Sequence, residues 1–272
     1  MPEPTVTKLS SPPFIELQSV DSTNNYALAQ IHAGLAQHGM SIFAHEQIAG
    51  KGQRGKGWMA EKDANIILSV VINPVFLQPA QQFWLSACAA VAVHEFFAKY
   101  AGSNSKIKWP NDLYWQDRKA GGILIESVVR SQQSAAGSKE SAIDGRRAVA
   151  GSWQWAVVGI GININQISFS SGLKNPVSLR QISGNSFDPL TLAKEFGTIL
   201  HKYYEQLHTE GFDRIYAQYL THLYKKNELV RLKKDSWIFE AAIKTVSPGG
   251  RLVVQHSIEE EFEFGEVEWM IE

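Results

Sequence analysis

Residues 65–72, NIILSVVI, form a near-continuous β-rich apolar run. A strand of that composition is buried on both faces, so the sheet that holds it has to be covered on both sides by the rest of the chain. The means to do so are present: 272 residues, 44% of them hydrophobic and 19% charged, suit a soluble globular protein with a sizeable core. A formal net charge of -1 gives no bulk attraction to nucleic acid. The one cysteine, Cys88, sits in the apolar run LSACAAVAV and reads as a buried thiol, with no disulfide framework within one chain. The start of the chain lacks the apolar core of a signal peptide and no run is long enough to cross a bilayer, so the expectation is a cytoplasmic enzyme or binding protein.

Around that strand the sequence alternates between strand and helix texture. Residues 14–20 read as a first strand, ending at Asp21, Ser22, Thr23 and Asn24, which are good caps for a helix with Leu28, Ile31 and Leu35 on one face. Residues 40–45 form a second strand, 79–100 a long helix that is apolar all round, and 107–109 a short strand stopped by Pro110. Residues 113–115 and 122–129 read as a hairpin, with Lys119, Gly121 and Gly122 just beyond its turn. The polar stretch 130–151 reads as an inserted flexible loop, and 152–160 as a strand running into Gly161, Ile162 and Asn163. Asp188 and Pro189 open a helix to about residue 210, with Leu192, Phe196, Ile199, Tyr203 and Leu207 on one face, and a second helix follows over 212–224. From residue 227 the texture changes to short strands over 229–232, 238–246, 251–256 and 261–270.

Between the second and third strands lies AGKGQRGKGW, residues 49–58. Its glycines allow positive φ and close approach of the backbone to a ligand, and Lys51, Arg54 and Lys56 supply positive charge, so the loop can hold an anion. It is not a P-loop, which ends in Gly-Lys-Ser/Thr and opens a helix.

Four stretches in this order, Ser22-Thr23-Asn24, Gln47 with the glycine loop, KWPNDLYWQDRKAGGILIE over 108–126 and VGIGININ over 158–165, resemble the biotin protein ligases. The resemblance implies an α+β fold: a mixed β-sheet with helices packed on one side, of the class II synthetase-like kind, over 14–226, then a small SH3-like β-barrel over 227–272. It implies that biotin, a poor acylating agent as its carboxylate, attacks the α-phosphate of ATP to give biotinyl-5′-AMP, from which a lysine amine displaces AMP. The first step brings two anions together and needs cations and aimed donors. Lys119 would contact carboxylate and phosphate, with Arg54 as a second cation, and Asp112 would help deprotonate the incoming lysine. Ser22, Thr23, Asn24 and Gln47 are implied for the ureido ring, with Gly50, Lys51, Gly52 and Gln53 from the loop and Lys119 completing the biotin site. Lys51, Arg54, Trp58, Lys108, Asn111 and Asn163 are implied around the nucleotide, with a core role for Trp58 as the competing reading. The family loop reads Gly-Arg-Gly-Arg-x-Gly, so Lys51 and Gln53 depart from it, one keeping charge without the planar fork and the other keeping only hydrogen bonding.

Mg²⁺ is expected with ATP, leaning on the phosphates, since no Asp/Glu cluster marks a dedicated cage. The implied acceptor is a biotin carboxyl carrier protein or domain, docking along an exposed strand edge that a second copy could also use to form a homodimer. About 13 residues precede the first strand, so no DNA-binding domain and no nucleic-acid partner are expected. Two other readings stand beside this one. A lipoate ligase shares the fold and the adenylate chemistry. A non-catalytic biotin- or adenylate-binding protein would keep Ser22 to Asn24 and Gln47 but lose Lys119 or Asp112, and both are present.

Overall fold

The computed structural model describes residues 12–130, 152–173 and 175–270. Seven strands, β1 (Phe14–Leu17), β2 (Ser41–Ala44), β3 (Asn65–Ile72), β4 (Ser105–Lys108), β5 (Asp112–Trp115), β6 (Arg118–Arg130) and β7 (Ser152–Asn163), make one mixed sheet in the order β1-β2-β3-β7-β6-β5-β4. β1 and β2 run parallel and the other neighbours antiparallel. Because side chains alternate along a strand, β3 sends Ile66, Leu68, Val70 and Ile72 to one face and β7 sends Ala156, Val158, Ile160 and Ile162 to the same face. On that face lie helices α2 (Gln82–Ala101), α4 (Pro189–Glu210) and α5 (Phe212–Thr221). Helix α2 is enclosed between sheet and helices, which is why 87–93 is apolar all round and buried throughout. Of the face expected on α4, Leu192, Phe196, Tyr203 and Leu207 are buried and Ile199 half-buried. The opposite face of the sheet carries helix α1 (Thr23–His32), whose Ala27 and Ile31 pack on Ile42, Val71 and Val157. The rest of that face is left for the site.

The chain ends in a five-stranded antiparallel sheet of β8 (Leu229–Lys234), β9 (Trp237–Val246), β10 (Leu252–Gln255), β11 (Glu259–Phe262) and β12 (Glu268–Trp269), in the order β11-β10-β9-β8-β12. Its Leu232, Ile243, Leu252 and Phe262 belong to the same apolar core as the larger sheet. The buried Trp109, just past β4, donates its indole N–H to the carbonyl of Gly250 at 2.9 Å.

Several expectations need correction. The first strand stops at Leu17, and Val20 only bridges Gln47. Leu35 lies beyond α1 and is 60% exposed, because the helix ends at His32. The strand expected from 122 already begins at Arg118, so Lys119 is inside β6, opposite Tyr114, and the pairing with β5 slips between Leu113 and Tyr114, where a bulge leaves Ala120 without an opposite residue. β7 continues to Asn163, paired residue for residue with β3, and α5 stops at Thr221. The single strand expected over 261–270 is two, β11 and β12, separated at Gly265, whose φ of +92° breaks an extended run. A short helix α3 (Leu179–Ser183), opened by a capping box between Ser178 and Gln181, had no expectation. The loop expected over 130–151 lies, past Arg130, outside the described residues. Among those residues no helix is long and apolar enough to cross a membrane.

Candidate active site

On the sheet face that bears α1, β7 places Gly159 and Gly161, and β6 places Gly122 as the register partner of Gly161. The backbone is bare there for a reason of space. A Cβ on Gly159 would lie 2.3 Å from Asn24 Oδ1, and one on Gly161 would lie 2.4 Å from the Trp58 ring. The glycines form the floor of a cleft of about 1270 Å³. Sites for one small ligand run to roughly 300–1,000 Å³, so this one has room for a nucleotide and a second molecule together.

Over Gly159 sits a cluster of hydroxyl and amide groups. Ser22 caps α1, its Oγ accepting from Asn25 N–H at 3.5 Å, which sets Thr23 and Asn24 on the first turn, buried and facing the sheet. Gln47 Oε1 accepts the Thr23 N–H at 2.9 Å, and Ser69 of β3 reaches Asn24 Oδ1 at 2.6 Å. Glu126 of β6 takes the Asn24 amide N–H at 2.7 Å and pairs loosely with Lys51 at 3.6 Å.

Two residues along the strand from Gly159, about 7 Å by strand rise, the floor at Gly161 and Gly122 meets charged groups. Lys119 Nζ pairs with Asp112 Oδ1 at 2.7 Å, and both lie over Gly122. Behind them Lys108 is buried between the rings of Tyr114 and Trp269, 5.2 and 5.0 Å from its Nζ. Burial pushes its ammonium down to about 8, Asp112 opposes the fall, and Lys119 and Lys56 add to it. Asn111 donates its amide N–H to Ile123 O, and Asn163 donates to Val177 O at 3.1 Å.

The glycine loop forms one wall. It folds as a small hairpin, with Trp58 N–H on Gly50 O at 2.8 Å, a bridge between Lys51 and Gly57, and a tip at Arg54 in the left-handed region (φ 56°). The Trp58 ring stands on the Gly161 backbone with its indole N–H buried and without an acceptor among the described residues. Arg54 spends its Nη1 on Gly265 O at 2.8 Å, which ties the loop to the C-terminal sheet, and Phe264 and Trp269 complete the wall on that side.

Fourteen of the fifteen residues singled out in the sequence therefore line one cleft. The exception is Gly50, where a Cβ would fall 2.2 Å from the Trp58 carbonyl oxygen, so its glycine serves the loop's own packing. The sequence reading missed Ser69 and Glu126 beneath the amide cluster and Trp269 over Lys108. A serine in a strand otherwise apolar, and a glutamate in phase with Gly122 and Leu124 at the end of GGILIE, were the available signals. The one described group of three metal-capable side chains, His38, His201 and Glu205, lies off the cleft, and His38 Nδ1 already accepts the Asn73 N–H at 3.1 Å.

The sequence pattern of the Biotin/lipoate A/B protein ligase family matches residues 16–138. The chain is 28% identical over 247 residues to the "Biotin--[acetyl-CoA-carboxylase] ligase" of Paracoccus denitrificans, covering 88% of this chain and 92% of that protein. It is 37% identical over 119 residues to the "Bifunctional ligase/repressor BirA" of Escherichia coli K12, covering 44% of this chain and 36% of that one. Across four BirA relatives the chain spans between 36% and 56% of their length. In fold it is similar to the biotin protein ligase from Aquifex aeolicus in complex with biotin and ATP, with a TM-score of 0.74 and 20% identity over 95% of this chain and 99% of that one.

Proposed function

We propose that this chain uses ATP to convert biotin to biotinyl-5′-AMP and passes the biotinyl group to a lysine of a biotin carboxyl carrier protein or domain. One arrangement carries the reading: on a single glycine floor, a hydroxyl-and-amide cluster at Asn24 and a Lys119–Asp112 pair at Gly122 stand about two strand residues apart. A ureido ring needs donors and acceptors together or its burial is costly, and Thr23, Asn24 and Gln47 offer both. A dithiolane ring would leave that cluster unmatched, which argues against lipoate. The name of the Paracoccus relative points the same way.

With the ring over Gly159, the acid chain runs toward Lys119. A carboxylate oxygen attacks the α-phosphorus, the bond to pyrophosphate breaks, and Lys119 Nζ, released from Asp112, offsets the charge of the two anions. Asp112, so freed, takes the proton of the incoming lysine amine as its nitrogen attacks the acyl carbon and AMP leaves. Arg54 serves phosphate only after leaving Gly265 O, while Lys108 and Trp58 line the nucleotide's place. Mg²⁺ suits the donor set: Asn111 and Asn163 give their amide N–H groups to backbone carbonyls and keep amide oxygens for a hard cation. Bound there with the phosphates, it would neutralise their charge. Residues 14–226 form the catalytic unit in this reading, and 227–272 a small β-unit that closes the cleft from one side.

For the acceptor, the outer edge of β6 past Ile123 has no strand partner among the described residues, and a second cleft of about 850 Å³ beside it shares Arg54, Pro110, Leu124 and Phe264 with the first. A carrier lysine approaching along that edge reaches the adenylate, and a second copy pairing there would compete with it. Transfer per enzyme from preformed adenylate should then fall as enzyme concentration enters the dimer range; strict proportionality alongside a dimer in sedimentation would rule out the shared edge. The activity itself is tested by incubation with ATP, Mg²⁺ and either biotin or lipoate. Pyrophosphate release with biotin is expected, and release with lipoate alone would overturn the reading.

A further inference from the structure

Neither Glu126 nor Ser69 lines the cleft, yet both hold residues that do. We propose that Glu126, acting through Asn24 and Ser69, fixes the Thr23 hydroxyl as a hydrogen-bond acceptor toward the cleft, so that the site selects a ligand presenting an N–H, as a cyclic urea does. Glu126 and Ser69 are positioning residues in this scheme. It rests on the biotin reading above for the ligand, and on the geometry for the rest.

The argument is a count of protons. A carboxylate can only accept, so the 2.7 Å contact from Glu126 Oε2, helped by the longer one from Leu124 O at 3.5 Å, turns the Asn24 amide nitrogen toward Glu126 and its oxygen toward Ser69. Ser69, fully buried, has one hydroxyl proton, and Asn24 Oδ1 at 2.6 Å can only accept it. The contact between Ser69 Oγ and Thr23 Oγ1, 2.8 Å, is then a hydrogen bond only if Thr23 gives up its own proton. The rival acceptor, Gln47 Oε1, is farther away at 3.2 Å and is already engaged by the Thr23 N–H at 2.9 Å. Thr23 lines the cleft with lone pairs and no proton to offer. Lys51, 3.6 Å from the other oxygen of Glu126, supports the carboxylate that starts the chain. One charged group outside the cleft thus sets the polarity of a hydroxyl inside it, which packing alone would leave free to rotate.

Glu126→Gln tests this with almost no change of shape. A glutamine can turn its NH₂ to Asn24, the Asn24 amide can then reverse with the loss of only its 3.5 Å contact to Leu124 O, and Thr23 recovers its proton. Calorimetry with biotin and with its two singly ureido-N-methylated forms measures the preference for the N–H. The wild type should favour biotin over one methylated form, and Glu126→Gln should shrink that ratio by about tenfold, the worth of one buried hydrogen bond. Thr23→Val, which deletes the acceptor, should shrink it equally. Adding Asn24→Asp to Glu126→Gln should restore the ratio, because an aspartate can only accept, from Gln at 126 on one side and Ser69 on the other. An unchanged ratio in Glu126→Gln, with biotin still bound, would overturn the relay alone. A wild-type protein that bound no biotin would overturn the biotin reading, and the ligand assigned to the relay with it.

Discussion

Lys119 and Asp112 hold one another at 2.7 Å with the lysine side chain 33% and the aspartate 19% exposed, a contact that a ligand has to part before either group can serve it. Truncating Lys119 removes a cation that water does not replace in a closed site, and a loss of about 10³-fold in adenylate formation is expected for Lys119→Ala. Its circular dichroism and thermal unfolding should match the wild type, since no core packing changes; pyrophosphate release near the wild-type rate would refute the role. These two residues were legible because KWPND and RKAGGIL are contiguous stretches, and contiguity is what a sequence displays. Ser69 was not. Its contacts are with Thr23 and Asn24, 46 and 45 residues earlier, and they exist only because the odd-numbered side of β3 faces α1. Glu126 needed the same knowledge of phase, Asn24 lying 102 residues away.

Among elements, β3 was readable to the residue because an apolar run bounded by polar segments has only one way to lie in a sheet. The 118–122 bulge and the break at Gly265 were not, because register slips and a positive φ arise from what a strand meets, not from its own composition. The glycine loop illustrates both sides. Its composition announced a ligand-facing turn, but not that Arg54 would cross to the C-terminal sheet and press its guanidinium on Gly265, where a Cβ would lie 2.3 Å from Nη1. That hydrogen bond is exposed and stabilises the closed loop by about 1 kcal/mol. Arg54→Ala should therefore raise cleavage by a lysine-specific protease after Lys51 and Lys56 by about fivefold in the free protein. Biotin with ATP should suppress cleavage in the wild type, because a mixed anhydride has to be kept from water. Equal cleavage of wild type and variant, with and without ligands, would show that the Gly265 contact does not restrain the loop.

At the scale of the whole molecule, the change of texture near residue 227 announced a separate β-unit, whereas its orientation depends on Trp109 finding Gly250 and on Trp269 covering Lys108, pairings that no local pattern encodes. The two units share one core, so the molecule should unfold as one, and its acid stability should follow the buried titratable groups. The chief of these is His94 on α2, 7% exposed, which donates its Nε2–H to Ser105 O at 3.0 Å and stacks on His222 at 3.9 Å. Burial drives it from 6.5 to about 4, with His222 and Lys106 adding to the fall and Ser105 O and Glu95 opposing it. His222 is lowered as well, by burial and by Lys106. A histidine held neutral in the fold but free to charge when unfolded contributes its full stability above the unfolded value and loses it as pH falls toward the folded one. His45 runs the other way, raised by Glu16 and, against its burial, by Asp63, so its contribution is present at low pH and fades as pH rises past its folded value. His94 dominates because it is the more buried. Urea unfolding should show about 2 kcal/mol less stability at pH 5 than at pH 7.5 from His94. His94→Gln, which keeps a donor for Ser105 O without a titratable ring, should be less stable at pH 7.5 yet nearly flat between the two pH values. A variant that retained the wild-type slope would place the acid sensitivity elsewhere than at this histidine.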